Sequence, residues 1–266
     1  MAGACSAISI SLNSVPTVGV PTAAPFALSY GSLGHVLTSD NWAGYVIADT
    51  MPAQVLPRHR PGRAAIAGIG TVTDIRAQWL IPTVTCTARD TYSAIWVGID
   101  GETDGTVEQV GTGVDCTNGQ PNYYAWFEIF PRPSQDISQF PVKAGDNVSA
   151  EVKYNGAGVF DLTVQDLNSG QNFSTSRTNL RALRQSAEWV VEAPANQNNQ
   201  VLPLAAFSTI TFTQAKATIN GQQCTISQCT WSHGALVMES PDRKLKAYPS
   251  PLNANGSSFS VAWRGS

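Results

Sequence analysis

From Thr71 to its C-terminus the chain is written in short runs in which apolar and polar residues alternate, and this pattern limits the fold more than any other feature. The runs occupy residues 77–81, 92–99, 123–130, 147–154, 159–167, 188–191, 209–213 and 258–263, and most are bounded by Gly, Asn, Asp or Pro. Alternation with a period of two is the signature of a strand with one buried face, and Gly and Asn mark its turns. Short, even spacing between the turn signals favours an antiparallel sandwich or barrel over a parallel sheet with crossover helices. The fold class expected is therefore all-β. Only residues 176–185 have a helix-like composition, and the segment is brief.

The ends of this pattern set the domain organisation. Residues 1–39 contain no charged side chain and no regular period, and they read as an arm or a leader or propeptide remnant. They lack the basic start and long apolar stretch of a signal peptide. Residues 51–70 hold Pro52, Pro57, Pro61, Arg58, Arg60 and Arg63 among small residues and read as an exposed irregular loop. With no internal repeat and no linker after residue 70, residues 40–266 are expected to form one domain.

Charge excludes several partners. Lys and Arg number 16 and Asp and Glu 19, only 13% of the chain against an ordinary value of about 25%. A net charge of −3 leaves no basic face for nucleic acid or an anionic membrane. No apolar run approaches the roughly 18 residues of a membrane span. Full protonation in acid would leave only the positive charges of 16 Lys and Arg and three His, so self-repulsion in an acidic medium stays modest. Of five cysteines, Cys224 with Cys229 and Cys86 with Cys116 form natural disulfide pairs that leave Cys5 over; the alternative is five reduced, buried thiols.

Familiar catalytic devices are missing. The histidines are His35, His59 and His233, of which only His233 lies in the strand-rich region, where its Trp231-Ser232-His233-Gly234 context reads as a turn. No HExxH, GxSxG or Walker loop occurs, and no ligand spacing suggests zinc, so neither metal nor cofactor is expected. Carboxylates, amides and aromatics remain, concentrated in five segments: Asp40 to Tyr45 (DNWAGY), Trp96 to Gly101 (WVGIDG), Glu108 to Thr112 (EQVGT), Tyr123 to Glu128 (YYAWFE) and Ala187 to Glu192 (AEWVVE). On a strand Glu188, Val190 and Glu192 share one face, as do Trp126 and Glu128. A carboxylate on an otherwise apolar strand must be paired, neutralised or used. Taken singly each residue has an ordinary reading: Trp42, Trp79 and Trp189 as core, Asp100 as a turn residue, Glu128 and Glu188 as solvated outer-face groups.

Together and in this order, the five segments resemble the glutamic peptidases, or eqolisins, over most of the chain from about Asn41 to Trp263. The resemblance implies two stacked, curved antiparallel sheets of the concanavalin A-like lectin or glucanase type. It also implies a concave substrate face and a secreted, acid-acting endopeptidase made as a precursor, here expected to be monomeric. By motif the catalytic pair is Gln109 and Glu192. Trp96 and Asp100 match the strand flooring the cleft, with Asp100 expected to hydrogen-bond the catalytic residues; Trp42, Gly44, Trp126 and Glu128 match cleft-lining positions. Ile129, Phe130, Tyr124 and Ala193-Pro194 depart from the family pattern, which bears on substrate preference more than on reaction type. Asp115 lies farther from Gln109 than in fungal members and receives no role.

The residue types suit that chemistry. Hydrolysis without metal or covalent nucleophile needs a base for water, an acid for the leaving amine and a donor for the oxyanion. A glutamate with an ordinary pKa near 4.3 can act as base and then acid in an acidic medium. An amide can hold the water through its carbonyl and donate through its NH₂ without titrating. A rival reading is a glycan-binding or glycoside-hydrolysing sandwich using Glu128, Glu192 and cleft aromatics. A second is a non-catalytic relative.

Overall fold

The computed structural model describes residues 33, 35–48, 71–102 and 104–265. The irregular loop expected at 51–70, Cys5 and almost all of the expected N-terminal arm lie outside the described residues. Eighteen strands follow in chain order. The first nine are β1 (His35–Ser39), β2 (Trp42–Ala48), β3 (Val72–Leu80), β4 (Val84–Thr85), β5 (Thr91–Ile99), β6 (Val107–Thr117), β7 (Gln120–Phe130), β8 (Gln135–Asp136) and β9 (Asn147–Gly156). The rest are β10 (Val159–Asp166), β11 (Asn172–Thr178), β12 (Ser186–Glu192), β13 (Ala206–Phe207), β14 (Ile210–Ile219), β15 (Gln222–Thr225), β16 (Ser232–Glu239), β17 (Leu245–Pro249) and β18 (Phe259–Trp263). Among the described residues the only helical element labelled is a 3₁₀ turn, Ile226–Gln228.

Two layers result. The front layer runs β18-β17-β16-β2-β12-β5-β6-β7-β8 and the back layer β11-β10-β9-β3-β14, joined into one path because β14 belongs to both. Its first residues, Ile210 to Phe212, pair with β18, and from Thr213 onward it pairs with β3. The register shifts between Thr213 and Lys216, and Gln214 there has φ 52°. A bulge bends a strand and raises its twist, which lets one strand pass from sheet to sheet at a sandwich corner. Strands β3, β9 and β10 pack across onto β5, β6 and β12.

The core between the layers is built from the inward residues of both, including Ile75, Trp79, Val97, Val110, Phe160, Trp189 and Phe212, all buried. Two indoles also tie the layers by polar bonds. Trp79 on β3 donates Nε1–H to the Thr112 hydroxyl on β6 at 3.1 Å, and Trp189 on β12 donates to the Arg76 carbonyl on β3 at 3.0 Å. Burying a Trp without a partner for its N–H forfeits part of the gain, so these bonds let large aromatics fill the interior. Two disulfides pair as expected, Cys86 with Cys116 and Cys224 with Cys229. Such bonds form and persist in oxidising compartments.

Local expectations failed at three places. Residues 176–185 are not helical: up to Thr178 they belong to edge strand β11, which alternates exposed and half-buried residues against β10, and turns follow. Pairing with β10 overrides a weak local preference. His233 lies in strand β16, not in a turn. His35–Ser39, read as the end of the arm, is strand β1, paired in parallel with β16 and so an exception to the antiparallel rule.

Candidate functional site

The front layer turns one face toward the core and the other outward, and the candidate site lies on the second. Strand registers line its side chains in three rows. One row runs Val46, Glu188, Gly98, Gln109, Glu128; the next Gly44, Val190, Trp96, Gly111, Trp126; the third Trp42, Glu192, Ala94, Gly113, Tyr124. Leu37, Trp42, Val46, Ala94, Trp96, Val107, Trp126, Val190 and Leu236 form a separate buried apolar cluster on this face. The polar groups of interest thus stand in an apolar surround, where water competes little for hydrogen bonds.

Glycine makes the close packing possible. A Cβ at Gly44 would sit 1.9 Å from the Trp189 carbonyl oxygen, and one at Gly111 would sit 2.0 Å from that of Ile95. The backbones of neighbouring strands approach where a side chain is missing. Trp42 meets Trp96 edge-on, ring centres 4.9 Å apart.

Glu192 is fully buried, and both its oxygens are held: Trp96 Nε1–H donates to Oε2 at 2.7 Å and Asn41 Nδ2–H to Oε1 at 3.2 Å. Ser39 places Asn41 in turn, its hydroxyl donating to Asn41 Oδ1 at 3.2 Å. Across the face, Gln109 on β6 stands opposite Glu128 on β7 and donates Nε2–H to Glu128 Oε2 at 2.6 Å. Gln109 Oε1 and Glu128 Oε1 are buried and have no hydrogen-bond partner among the described residues. Burial, and then the charge of Glu192, push Glu128 up to about 9 against the opposing Gln109 bond. Glu128 is therefore a neutral acid throughout the acidic range. Strand register sets Gln109, Glu128 and Glu192 on this one face.

Five more carboxyls gather at the end of the front layer where β5 passes into β6, Glu188 on the outer face and Glu108 on the core side. Glu188 is fully buried and raised well above the ordinary value, first by burial and then by the charges of Asp100, Glu102 and Asp104, with Ser186 opposing. Glu108 is pushed up to about 9 by burial and by Asp100, although Asn179 donates to it at 2.7 Å. Burial takes Asp100 and Glu102 to about 7 and raises Asp104. Among the described residues no group of His, Cys, Asp and Glu could hold a metal ion.

The expected site residues therefore fall into two groups. Gln109, Glu192, Trp42, Gly44, Trp96, Trp126 and Glu128 occupy one face, whereas the expectation for Asp100 needs correction. Its carboxylate accepts the backbone N–H groups of Arg184 and Gln185 at 2.7 and 2.8 Å and so fastens the segment leading into β12. It does so because β5 ends there and the chain turns, Asp100 having φ 67°. Neither Glu128 nor Glu188 is a solvated outer-face residue, since both are buried.

Sequence reasoning missed three residues. Asn41 opens the NWAG segment next to Trp42, and the register of Trp42 opposite Glu192 explains its reach. Glu188 was visible as the second carboxylate on its strand face. Tyr124 donates its hydroxyl to Asp115 at 3.0 Å, which gives Asp115 a partner. A separate polar groove of about 450 Å³, lined by Arg76, Gln78, Glu151 and Lys216 among others, lies on the back layer away from these groups.

Known proteins resemble this chain in sequence and in fold. The chain is 32% identical to aspergillopepsin-2 of Aspergillus niger over 142 residues, 52% of this chain and 50% of that protein. It is 31% identical to scytalidopepsin B of Scytalidium lignicola over 140 residues, 49% of this chain and 53% of that one. It thus spans about half the length of the curated relatives it matches. In fold it resembles the crystal structure of scytalido-glutamic peptidase with a peptide-based transition-state analogue, with TM-score 0.66, 21% identity, and coverage of 85% of this chain and 98% of that one. The profile of the Peptidase A4 family matches residues 62–239, more than half of the sequence, and the chain belongs to that family.

Proposed function

We propose that the protein is an acid-acting endopeptidase, working without metal or covalent intermediate, in which Gln109 and Glu192 carry the reaction. The observation that supports this reading is the presence, on one apolar face, of an oriented carboxylate and of an amide whose carbonyl oxygen has no partner among the described residues. Glu192 as carboxylate takes a proton from the attacking water and returns it to the leaving amine. Gln109 accepts from that water through Oε1 and donates its second N–H to the developing oxyanion. Trp42, Gly44, Trp96, Trp126 and Glu128 shape the cleft for an extended polypeptide. Asp100 acts at a distance by fixing the approach to β12. Two disulfides support secretion, and the protein is proposed to act as a monomer in an acidic medium.

The test is cleavage of a denatured protein in acid by wild type, Gln109→Ala and Glu192→Gln. Each substitution is expected to abolish cleavage. Near-full activity of Gln109→Ala would overturn the mechanism. Glycosidic activity dependent on Glu128 and Glu192 but indifferent to Gln109 would replace it with the two-carboxylate reading.

A further inference from the structure

A primary amide is a poor catalytic group unless something decides which of its ends faces the reactants. Rotation of Gln109 by half a turn about its last side-chain torsion exchanges its oxygen and its nitrogen at little intrinsic cost. In the flipped form the carbonyl oxygen would meet the oxyanion and repel it. The side chain therefore needs an external reference.

Glu128 stands directly opposite Gln109 in the β6–β7 pair, and both side chains are buried on the same face. Its Oε2 takes one amide hydrogen at 2.6 Å, a short bond in a water-poor setting. The amide keeps one N–H and its carbonyl oxygen, and that oxygen has no other partner among the described residues. We propose that Glu128 is a positioning residue, which fixes the orientation of the Gln109 amide by accepting one of its N–H groups and leaves the other N–H and the carbonyl oxygen for the reactants. This inference rests on the assignment of Gln109 to the reaction. With its proton on Oε1, neutral Glu128 still accepts through Oε2. Glutamine at the same position offers an equivalent carbonyl acceptor and an N–H in the place of that proton.

The experiment compares Glu128→Gln with Glu128→Met, which keeps the bulk and removes the acceptor, and measures kcat and KM separately on a peptide cleaved in acid. Glu128→Met is expected to lower kcat about 100-fold, on the order of losing one oxyanion donor, with KM changed less than about threefold. Glu128→Gln is expected to recover kcat to within about tenfold of wild type. Full kcat in Glu128→Met overturns the inference. So does a Glu128→Gln enzyme as impaired as the Met variant, because the carboxyl would then be moving a proton itself. If Glu128→Met does not fold, Glu128→Ala carries the same expectation, and failure of both to fold makes the residue structural and overturns positioning. The two assignments fail separately: an active Gln109→Ala removes the amide from the reaction, whereas an inactive Gln109→Ala beside an active Glu128→Met removes only Glu128.

Discussion

Trp96 donates its indole N–H to Oε2 of Glu192 at 2.7 Å, a buried side-chain bond that adds to the antiparallel pairing of the WVGIDG and AEWVVE segments on β5 and β12. A hydrogen bond contributes about 0.5–1.5 kcal/mol net, and here it also fixes where the Glu192 carboxyl group points. Trp96→Phe keeps an aromatic ring in the apolar cluster and removes the donor. The expected result is a fall in kcat of about tenfold or more, with the variant still folded by circular dichroism. An unchanged kcat would mean that Asn41 alone orients Glu192.

Gly44 predicts a severe packing failure. The atom that a Cβ would strike is a backbone oxygen of β12, 1.9 Å away, and backbone cannot swing aside as a side chain can. Gly44→Ala is expected to destabilise by at least about 3 kcal/mol in urea unfolding. Gly105→Ala is the control, since a Cβ there has nothing within 4 Å. Equal midpoints for the two variants would contradict this account of the close approach.

Period-two alternation located β5, β7, β9, β10, β12 and β18 and parts of β3 and β14, because each of these strands has one face in an apolar interior. β6 was harder to see. Residues 107–116 are buried on both faces, as those of β12 are, but Glu108, Gln109, Gly111, Thr112, Gly113 and Asp115 leave the run without an apolar period. β11 hid as well, being a polar edge strand with little apolar content to carry a period. Within the candidate site, Gln109, Glu192 and the aromatics were named by motif position, and strand register sets them on one face. Asn41 and Glu128 took their parts only when strand register brought residues 41 and 192, and 109 and 128, together. Nothing local in the sequence encodes such long-range partners. Asp100 misled because it sits in a cleft-flooring motif while its oxygens turn to the backbone at residues 184 and 185.

The two disulfides should differ in worth. Cys86 and Cys116 are 30 residues apart, Cys224 and Cys229 only 5. Loop-closure entropy gives about 3–4 kcal/mol for the longer loop and about 2 for the shorter. The first also ties the chain entering β5 to the end of β6, the strand that bears Gln109. Cys86→Ser with Cys116→Ser should lower the unfolding temperature more than Cys224→Ser with Cys229→Ser. The reverse order in calorimetry would show that strain or residual unfolded structure outweighs chain entropy.

The buried carboxyls fix the direction of the pH dependence. Glu108 and Glu128 are pushed up to about 9 in the folded protein, and Glu188 well above its ordinary value of 4.5. Between that ordinary value and about 9 the folded chain holds protons that the unfolded chain has released. Stability is then greatest below about pH 4.5 and falls as pH rises, by about 1.4 kcal/mol per pH unit for each group that keeps its proton. The unfolding temperature should drop steadily from pH 4.5 to pH 8. Glu188→Gln, which keeps the shape and cannot ionise, should unfold at a higher temperature than wild type at pH 8 and at nearly the same temperature at pH 4. A wild-type unfolding temperature that is flat or rises across this window would show that these carboxyls ionise freely in the folded state, as would a Glu188→Gln variant equally shifted at both pH values.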